Sequence, residues 1–327
     1  MNYIETFQFL GHAHAGTYEP KRLDDINMLL PYFEIFKNDM GKYDIKGYNY
    51  EKHDNAPRMA LWEHYMRAKI LGHIRAANTD IKGFYNIELH DSYTYLDNNK
   101  NYTDCFTFSK FKDSKGRGGP VLIPDPYAMM AWGGELNSIH DTQPWSTKKN
   151  KACFYGTTTG NRDPSKNERI NTCIWSLKHR DLLDFKITKI AQMPESMFRE
   201  YVDGVGGGGG VGIYSPALKS LEEQMQYKYH LVMDGNTCRF DIWNYLTNSV
   251  TLKYTSKDVL WYYPLLLHDT HYVEVDQTNM LRCMNMSDAQ ANYIISNARN
   301  LMSKIASPIN HELYLISLFE QIAWNRS

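Results

Sequence analysis

The segment Tyr227–Val275 constrains the fold more than any other stretch, because its apolar runs return at the rhythm of a parallel α/β sheet. Apolar residues run from Tyr229 to Met233, a polar turn spans Asp234–Cys238, and an amphipathic segment opens at Arg239. Ser249–Leu252 reads as the next strand, Asp258–Leu267 as a second amphipathic segment, and His271–Val275 as a third strand. In such sheets the ligands sit beyond the carboxyl ends of the strands. Arg239 then stands at a helix start, where backbone N–H groups and the helix dipole favour an anion.

A second strand–loop–helix unit lies upstream, in ACFYGTTTGNRDP (Ala152–Pro164), and runs on through NERI to Ile170. Glycine lets a backbone approach an oxyanion closely, threonines donate hydroxyls, and arginines bring charge. Gly156, Thr157, Thr158, Arg162 and Arg169 are therefore candidates for one side of a nucleotide diphosphate, with Asp234, Gly235 and Arg239 on the other. The loop lacks the GxxxxGK[ST] spacing, which argues against a P-loop NTPase.

Four blocks, in order from about Phe84 to Val275, resemble glycosyltransferase family 90, the capsule-associated and protein O-glucosyltransferase group. They are FYNIELHDSY, FTFSK with the later Trp132-Gly133-Gly134, the loop FYGTTTGNRDP with NERI, and YKYHLVMDG through WYYPLLLHDTHYVEV. The resemblance implies an α/β fold of GT-B type, with two Rossmann-like lobes, a cleft between them and closing C-terminal helices. Residues 1–145 would form the acceptor-side lobe and 146–305 the nucleotide-sugar lobe, with 306–327 a helix packing back towards the first lobe. It also implies an inverting glycosyltransferase that moves a sugar, xylose ahead of glucose, from a UDP-sugar to a hydroxyl of a glycan or glycoprotein. Asp91 matches the family's catalytic aspartate and would be the general base. Arg239, with Arg162 or Arg169, would neutralise the leaving diphosphate, and the spacing leaves open which of the two does so. Trp132, Gly133 and Gly134 would face the acceptor. Tyr155 and Thr157 stand where relatives often carry Arg and Ser, so contacts there are expected to differ.

The chain has 327 residues, a net charge of −1 and 43% hydrophobic residues, the composition of a globular protein without the basic face that nucleic-acid binding needs. No stretch approaches the roughly 20 apolar residues of a transmembrane helix. The N-terminus lacks the basic and apolar regions of a signal peptide. Five cysteines without CxxC spacing read as reduced thiols, so a cytoplasmic protein is expected, unlike the secretory eukaryotic members of the family. No DxD triplet is present, and two arginines on the diphosphate would make a divalent metal dispensable. His12-Ala13-His14 lacks a nearby Cys or carboxylate partner and reads as surface.

Residues ahead of Phe84 read as helical, with a start at Asp54-Asn55 before Pro57 and a core stripe at Met59, Trp62, Met66, Ile70 and Ile74. Phe84–His90 alternates as a half-buried strand ending at Asp91. Lys110–Gly119 reads as a charged loop, Asp141–Asn150 as a polar linker, and Asp203–Gly212 as a flexible glycine run. Two closing helices are expected, at Ser287–Ile305 and from about Asn310 to Trp324. Two other classes compete with the transferase. One is a SAM-dependent methyltransferase, on the strength of VDGVGGGGGVG; the other is a non-catalytic glycan-binding protein.

Overall fold

The computed structural model describes Ala15 and residues 31–51, 55–74, 80–87, 89, 105–108, 110–111, 120–126, 136, 139–205, 212–217, 219–236, 241–256 and 258–324. Asp91, Trp132, Gly133, Gly134, Arg239, Cys238, the His12/His14 pair and residues 206–211 lie outside them. The chain divides into two compact units, one from Met1–Asn137, Lys257–Tyr263 and Lys304–Ser327, the other from Ser138–Ser256 and Pro264–Ser303.

In the first unit, residues 32–48 form strands where helix is expected. β1 (Tyr32–Lys37) pairs antiparallel with β2 (Tyr43–Tyr48) and, on its other side, with β3 (Gly83–Asn86). Phe33 and Ile35 are fully buried while Glu34 is not, the period of two that favours strand over helix. The Asn38 side chain closes the hairpin by accepting from the N–H groups of Met40 and Lys42, both at 3.1 Å. The helix Ala56–Tyr65 does form, with Pro57 in its first turn, and continues as a π-turn over Met66–Ile70. Met59, Trp62, Met66 and Ile70 are buried as the stripe requires. Tyr85, Ile87 and Leu89 are also fully buried. Ile87 bridges in parallel to β4 (Phe106–Thr107), and β5 (Lys110–Phe111) follows. β6 (Val121–Leu122) pairs parallel with β4.

An aromatic stack ties this unit together. Phe33 lies flat against Tyr85 at 4.9 Å, and Phe106 lies flat against Phe319 of the last helix, Pro308–Trp324, at 5.7 Å. Tyr314 of that helix donates its hydroxyl to the Leu122 carbonyl at 2.5 Å.

The second unit is built on a five-stranded, wholly parallel sheet with helices between its first four strands. Its strands are β7 (Lys149–Thr157), β8 (Leu183–Lys189), β9 (Tyr227–Val232), β10 (Val250–Tyr254) and, after β11 (Asp258–Val259), β12 (Val273–Val275). Their order across the sheet is β12-β10-β9-β7-β8. Edge strand β8 alternates, burying Leu183, Phe185 and Ile187, whereas inner β9 and β10 are buried almost throughout, as parallel strands covered on both faces are. The first crossover steps from β7 outward to β8; the next returns past β7 to β9 and runs on the other way. The order therefore reverses between β7 and β9, the switch point beside which open α/β sheets hold their ligands.

Three further expectations need correction. Asp258–Leu267 is no amphipathic helix: β11 pairs antiparallel with β5, and a single 3-10 turn follows at Tyr263–Leu265. Pro264 removes a helix donor, and Leu260, Trp261 and Tyr262 are buried in succession, a run wider than a one-sided helical stripe. Asp141–Asn150 is polar, as read, but it is anchored in the second unit by buried Asp141, Trp145 and Lys148 and is not a linker. Lys148 reaches Asp141 at 2.5 Å with both side chains at 2% exposure or less, and Lys149 already belongs to β7. Lys148 also donates to Ser249 at 3.0 Å, and the Asn248 N–H donates to Asp141 at 2.7 Å. Burial pushes the Lys148 ammonium down, against the pull of Asp141. Finally, Asp203, Gly204 and Val205 are the last turn of helix Glu195–Val205. A helix, not a strand, precedes the glycine run, which removes the strand-then-glycine-loop pattern behind the methyltransferase alternative.

The closing helices Asp288–Ile305 and Pro308–Trp324 form as expected. Cys153, Cys173 and Cys283 are free thiols, and Cys105, Cys153 and Cys173 are buried. Among the described residues no helix is long and apolar enough to cross a membrane.

Candidate functional site

The loops leaving β7, β8 and β9 converge at the switch point, and a single guanidinium joins two of them. Arg169 lies in the first turn of helix Glu168–Ser176, whose start is set by Asn167: its side chain accepts from the Ile170 N–H at 3.2 Å. The buried Asn167 amide also donates to the carbonyls of Thr158 (3.0 Å) and Asn161 (2.8 Å), so one residue begins the helix and shapes the loop ahead of it. Arg169 is thereby aimed back across the strand ends. Its Nε donates to the Asp234 carbonyl at 3.0 Å and Nη2 to the Met233 carbonyl at 2.8 Å. Nη1 reaches the Thr157 carbonyl at 3.2 Å and Thr159 Oγ1 at 2.9 Å. The guanidinium also lies 5.8 Å from the centre of the Phe154 ring.

Two glycines make this strap possible. A Cβ on Gly235 would lie 2.3 Å from Thr159 Oγ1 and 2.7 Å from Arg169 Cζ. Gly160 has φ +116°, a conformation L side chains rarely adopt, and packs against the Gly235 carbonyl. The Gly160 N–H points between Gln192 Oε1 and Asn236 Oδ1, each 3.2 Å away, so the loops after β7, β8 and β9 meet on one donor. Gln192 itself is held at φ 65°, a left-handed conformation uncommon for a non-glycine residue. Thr158 clamps β7 to the β8 loop: its buried hydroxyl donates to the Ala191 carbonyl and accepts from the Ala191 N–H, both at 2.7 Å.

Residue by residue, the structure brings Gly156, Thr157, Thr158, Arg169, Asp234 and Gly235 together at these strand ends. Thr158 and Arg169 spend the hydrogen bonds above on protein. Arg162 stands on the exposed part of the same loop. Asp91, Trp132, Gly133, Gly134 and Arg239 are outside the described residues. Asn167, Gln192, Asn236 and Ser256 join the site without having been singled out from sequence. Of these only Asn167 carries a local signal, an N-cap residue directly before a helical pattern. Ser256, just past β10, donates its hydroxyl to Asp234 Oδ2. The other carboxylate oxygen, Oδ1, is buried and has no hydrogen-bond partner among the described residues. Leaving a buried acceptor unfilled costs about 1–3 kcal/mol, more when it is charged.

A second polar cluster lies on β8 and its neighbours. Tyr155, where the family resemblance leads one to expect arginine, donates instead to Asp184 Oδ2 at 2.5 Å. Tyr227 (2.6 Å) and Lys219 (2.8 Å) donate to the same oxygen. Burial would raise the Asp184 carboxyl, but Lys219 and the two hydroxyls outweigh it and hold the group down to about 2. Burial and then the Asp184 contact push the Tyr155 phenol up. A hollow of about 330 Å³ borders this cluster, lined by Tyr155, Asp184, Lys186, Ser215, Lys219 and Glu223 among others. His230, fully buried in β9, is pushed down to about 4 by burial. It is neutral near pH 7 and belongs to the core.

Among the described residues no group of three His, Cys, Asp or Glu side chains is placed to hold a metal ion. No family model matches the chain, and no curated protein does, so the likeness to glycosyltransferase family 90 rests on the four sequence blocks. Among solved structures the chain is similar to the crystal structure of TarM, with a TM-score of 0.41 and 8% identity over 88% of this chain and 63% of that one. The chain thus spans less than two thirds of that protein's length.

Proposed function

We propose that this chain is an inverting glycosyltransferase that takes a sugar from a UDP-sugar, xylose ahead of glucose, and adds it to a hydroxyl of a glycan or glycoprotein. One observation carries the reading: two glycine-bearing loops, strapped by Arg169, sit where the strand order reverses at the carboxyl ends of a parallel sheet. That is the position at which α/β sheets hold nucleotides. The four sequence blocks supply the reaction class, together with the GT-B arrangement of an acceptor-side and a donor-side lobe.

In this reading Asp91 takes the proton of the acceptor hydroxyl as the sugar's anomeric carbon is attacked opposite the departing diphosphate. Arg239 and Arg162 face the charge that grows on the leaving group; such preorganised donors lower barriers by about 3–4 kcal/mol each where they have been removed singly. Arg169, with its donors on carbonyls, supplies charge and loop geometry. Two direct arginines suffice for neutralisation, so transfer is expected to persist in a chelator. Trp132, Gly133 and Gly134 border the acceptor.

The test is a thermal-shift screen of UDP-xylose, UDP-glucose, other nucleotide sugars and SAM, followed by UDP release with an acceptor present. A UDP-sugar at a hundredfold excess over its Kd should stabilise the fold by about 2.7 kcal/mol, a shift of several degrees. No shift with any uridine nucleotide would sink the proposal, and a shift with SAM alone would revive the methyltransferase. Donor binding without UDP release would favour a glycan-binding protein.

A further inference from the structure

The carboxylate of Asp234 is half-satisfied at the switch point. Ser256 fills Oδ2, while Oδ1 is buried without a partner among the described residues. The backbone of the same residue is pinned, since Arg169 draws in the carbonyls of both Met233 and Asp234, at 2.8 and 3.0 Å. Asp234 is half-buried, and its terminal torsion is broad and nearly two-fold, so a small rotation can present an oxygen towards solvent while Ser256 holds the other.

We infer that Asp234 accepts a hydrogen bond from a hydroxyl of the bound nucleotide sugar and so sets the site's preference for that hydroxyl. An ionised carboxylate can only accept, and like charge keeps it from the diphosphate. The uracil N3–H sits between two carbonyl oxygens, which would face the carboxylate unfavourably. The hydroxyls of the ribose and of the transferred sugar remain, and both offer the donor that Oδ1 lacks. Removing either partner of such a buried pair leaves the other unpaired, which is why sites built to bond a hydroxyl reject analogues without it.

This assignment rests on the transferase reading, and calorimetry separates the two. Wild-type protein and D234A are titrated with UDP, 2′-deoxy-UDP, 3′-deoxy-UDP and UDP-glucose. If the hydroxyl is on the ribose, wild type should bind one deoxy analogue about tenfold or more weaker than UDP, and D234A should bind both alike. If it is on the transferred sugar, wild type should favour UDP-glucose over UDP by a similar factor, and D234A should lose that preference. D234N, which keeps the shape and removes the charge, should lose much of the discrimination even if D234A folds poorly, because charge-assisted hydrogen bonds are about twice as strong as neutral ones. Discrimination unchanged in both Asp234 variants, or absent from the wild type, overturns the assignment alone. Failure of wild type to bind any uridine nucleotide overturns the transferase reading and this assignment with it.

Discussion

Replacing Gly235 with alanine tests whether the loops at the switch point are as tightly built as their distances indicate. The new Cβ would sit 2.3 Å from Thr159 Oγ1, 2.7 Å from Arg169 Cζ and 2.8 Å from Arg169 Nη2. Ordinary carbon contacts lie near 3.5–4.0 Å, so the guanidinium and the threonine hydroxyl must each retreat by roughly 1 Å. Arg169 cannot do so freely. Nη2 is 2.8 Å from the Met233 carbonyl and Nη1 is 2.9 Å from Thr159 Oγ1, so retreat stretches one or both bonds beyond useful length. Hydrogen bonds to a charged group contribute about 1.5–3 kcal/mol each. Overpacking alone costs about 1–3 kcal/mol. With partial relaxation the loss should be about 2–4 kcal/mol, read as a lower urea midpoint at unchanged m-value. UDP affinity should fall as well, because the loops lose their spacing.

The control is Gly204→Ala. No atom lies within 4 Å of a Cβ built there, and the residue is helical, so this change should be neutral or stabilising by up to about 1 kcal/mol. If G235A unfolds at the same midpoint as wild type and G204A, the strap is not under the constraint described.

Two further predictions concern groups away from the nucleotide loops. Lys148→Met removes one member of a buried pair and strands Asp141, which should cost about 3–5 kcal/mol in urea unfolding; a loss below about 1 kcal/mol would show that water or rearrangement rescues the carboxylate. Asp184, held down to about 2 against an ordinary 3.8, contributes stability that is present above pH 4 and lost as pH falls through 2. After discounting for its solvent-exposed part the contribution is about 1–2 kcal/mol, and D184N should flatten that part of the acid-unfolding curve. An identical curve for D184N would mean that the cluster does not stabilise the fold through its charge.

How legible the fold was in the chain depended on whether its signal was local. The strands at Tyr227–Val232, Val250–Tyr254 and Val273–Val275 and the two closing helices emerge from hydrophobic periodicity, which is set by nearest neighbours along the chain. Long-range pairing was invisible. Asp258–Val259 becomes a strand only because Lys110–Phe111 is there to pair with it, and the hairpin at Tyr32–Tyr48 was passed over although Phe33, Glu34 and Ile35 alternate. The buried pair of Asp141 and Lys148 read as part of a polar linker because composition cannot show that Ser249 and Asn248 arrive to satisfy it.

For the candidate site the sequence shows residue types but not their partners, for a physical reason. Residue type says that arginine and threonine can donate; it does not say whether a ligand or the protein's own carbonyls receive. At this switch point Arg169 and Thr158 face inward and fix the loops, as preorganised binding requires, since loops already ordered lose less entropy when a ligand arrives. Asp234 differs from them because its backbone is held and one carboxylate oxygen is not. In the proposed site, specificity would fall to the groups that the protein does not itself satisfy. That distinction exists only in three dimensions, which is why no reading of DGNTCRF alone could have separated Asp234 from its neighbours.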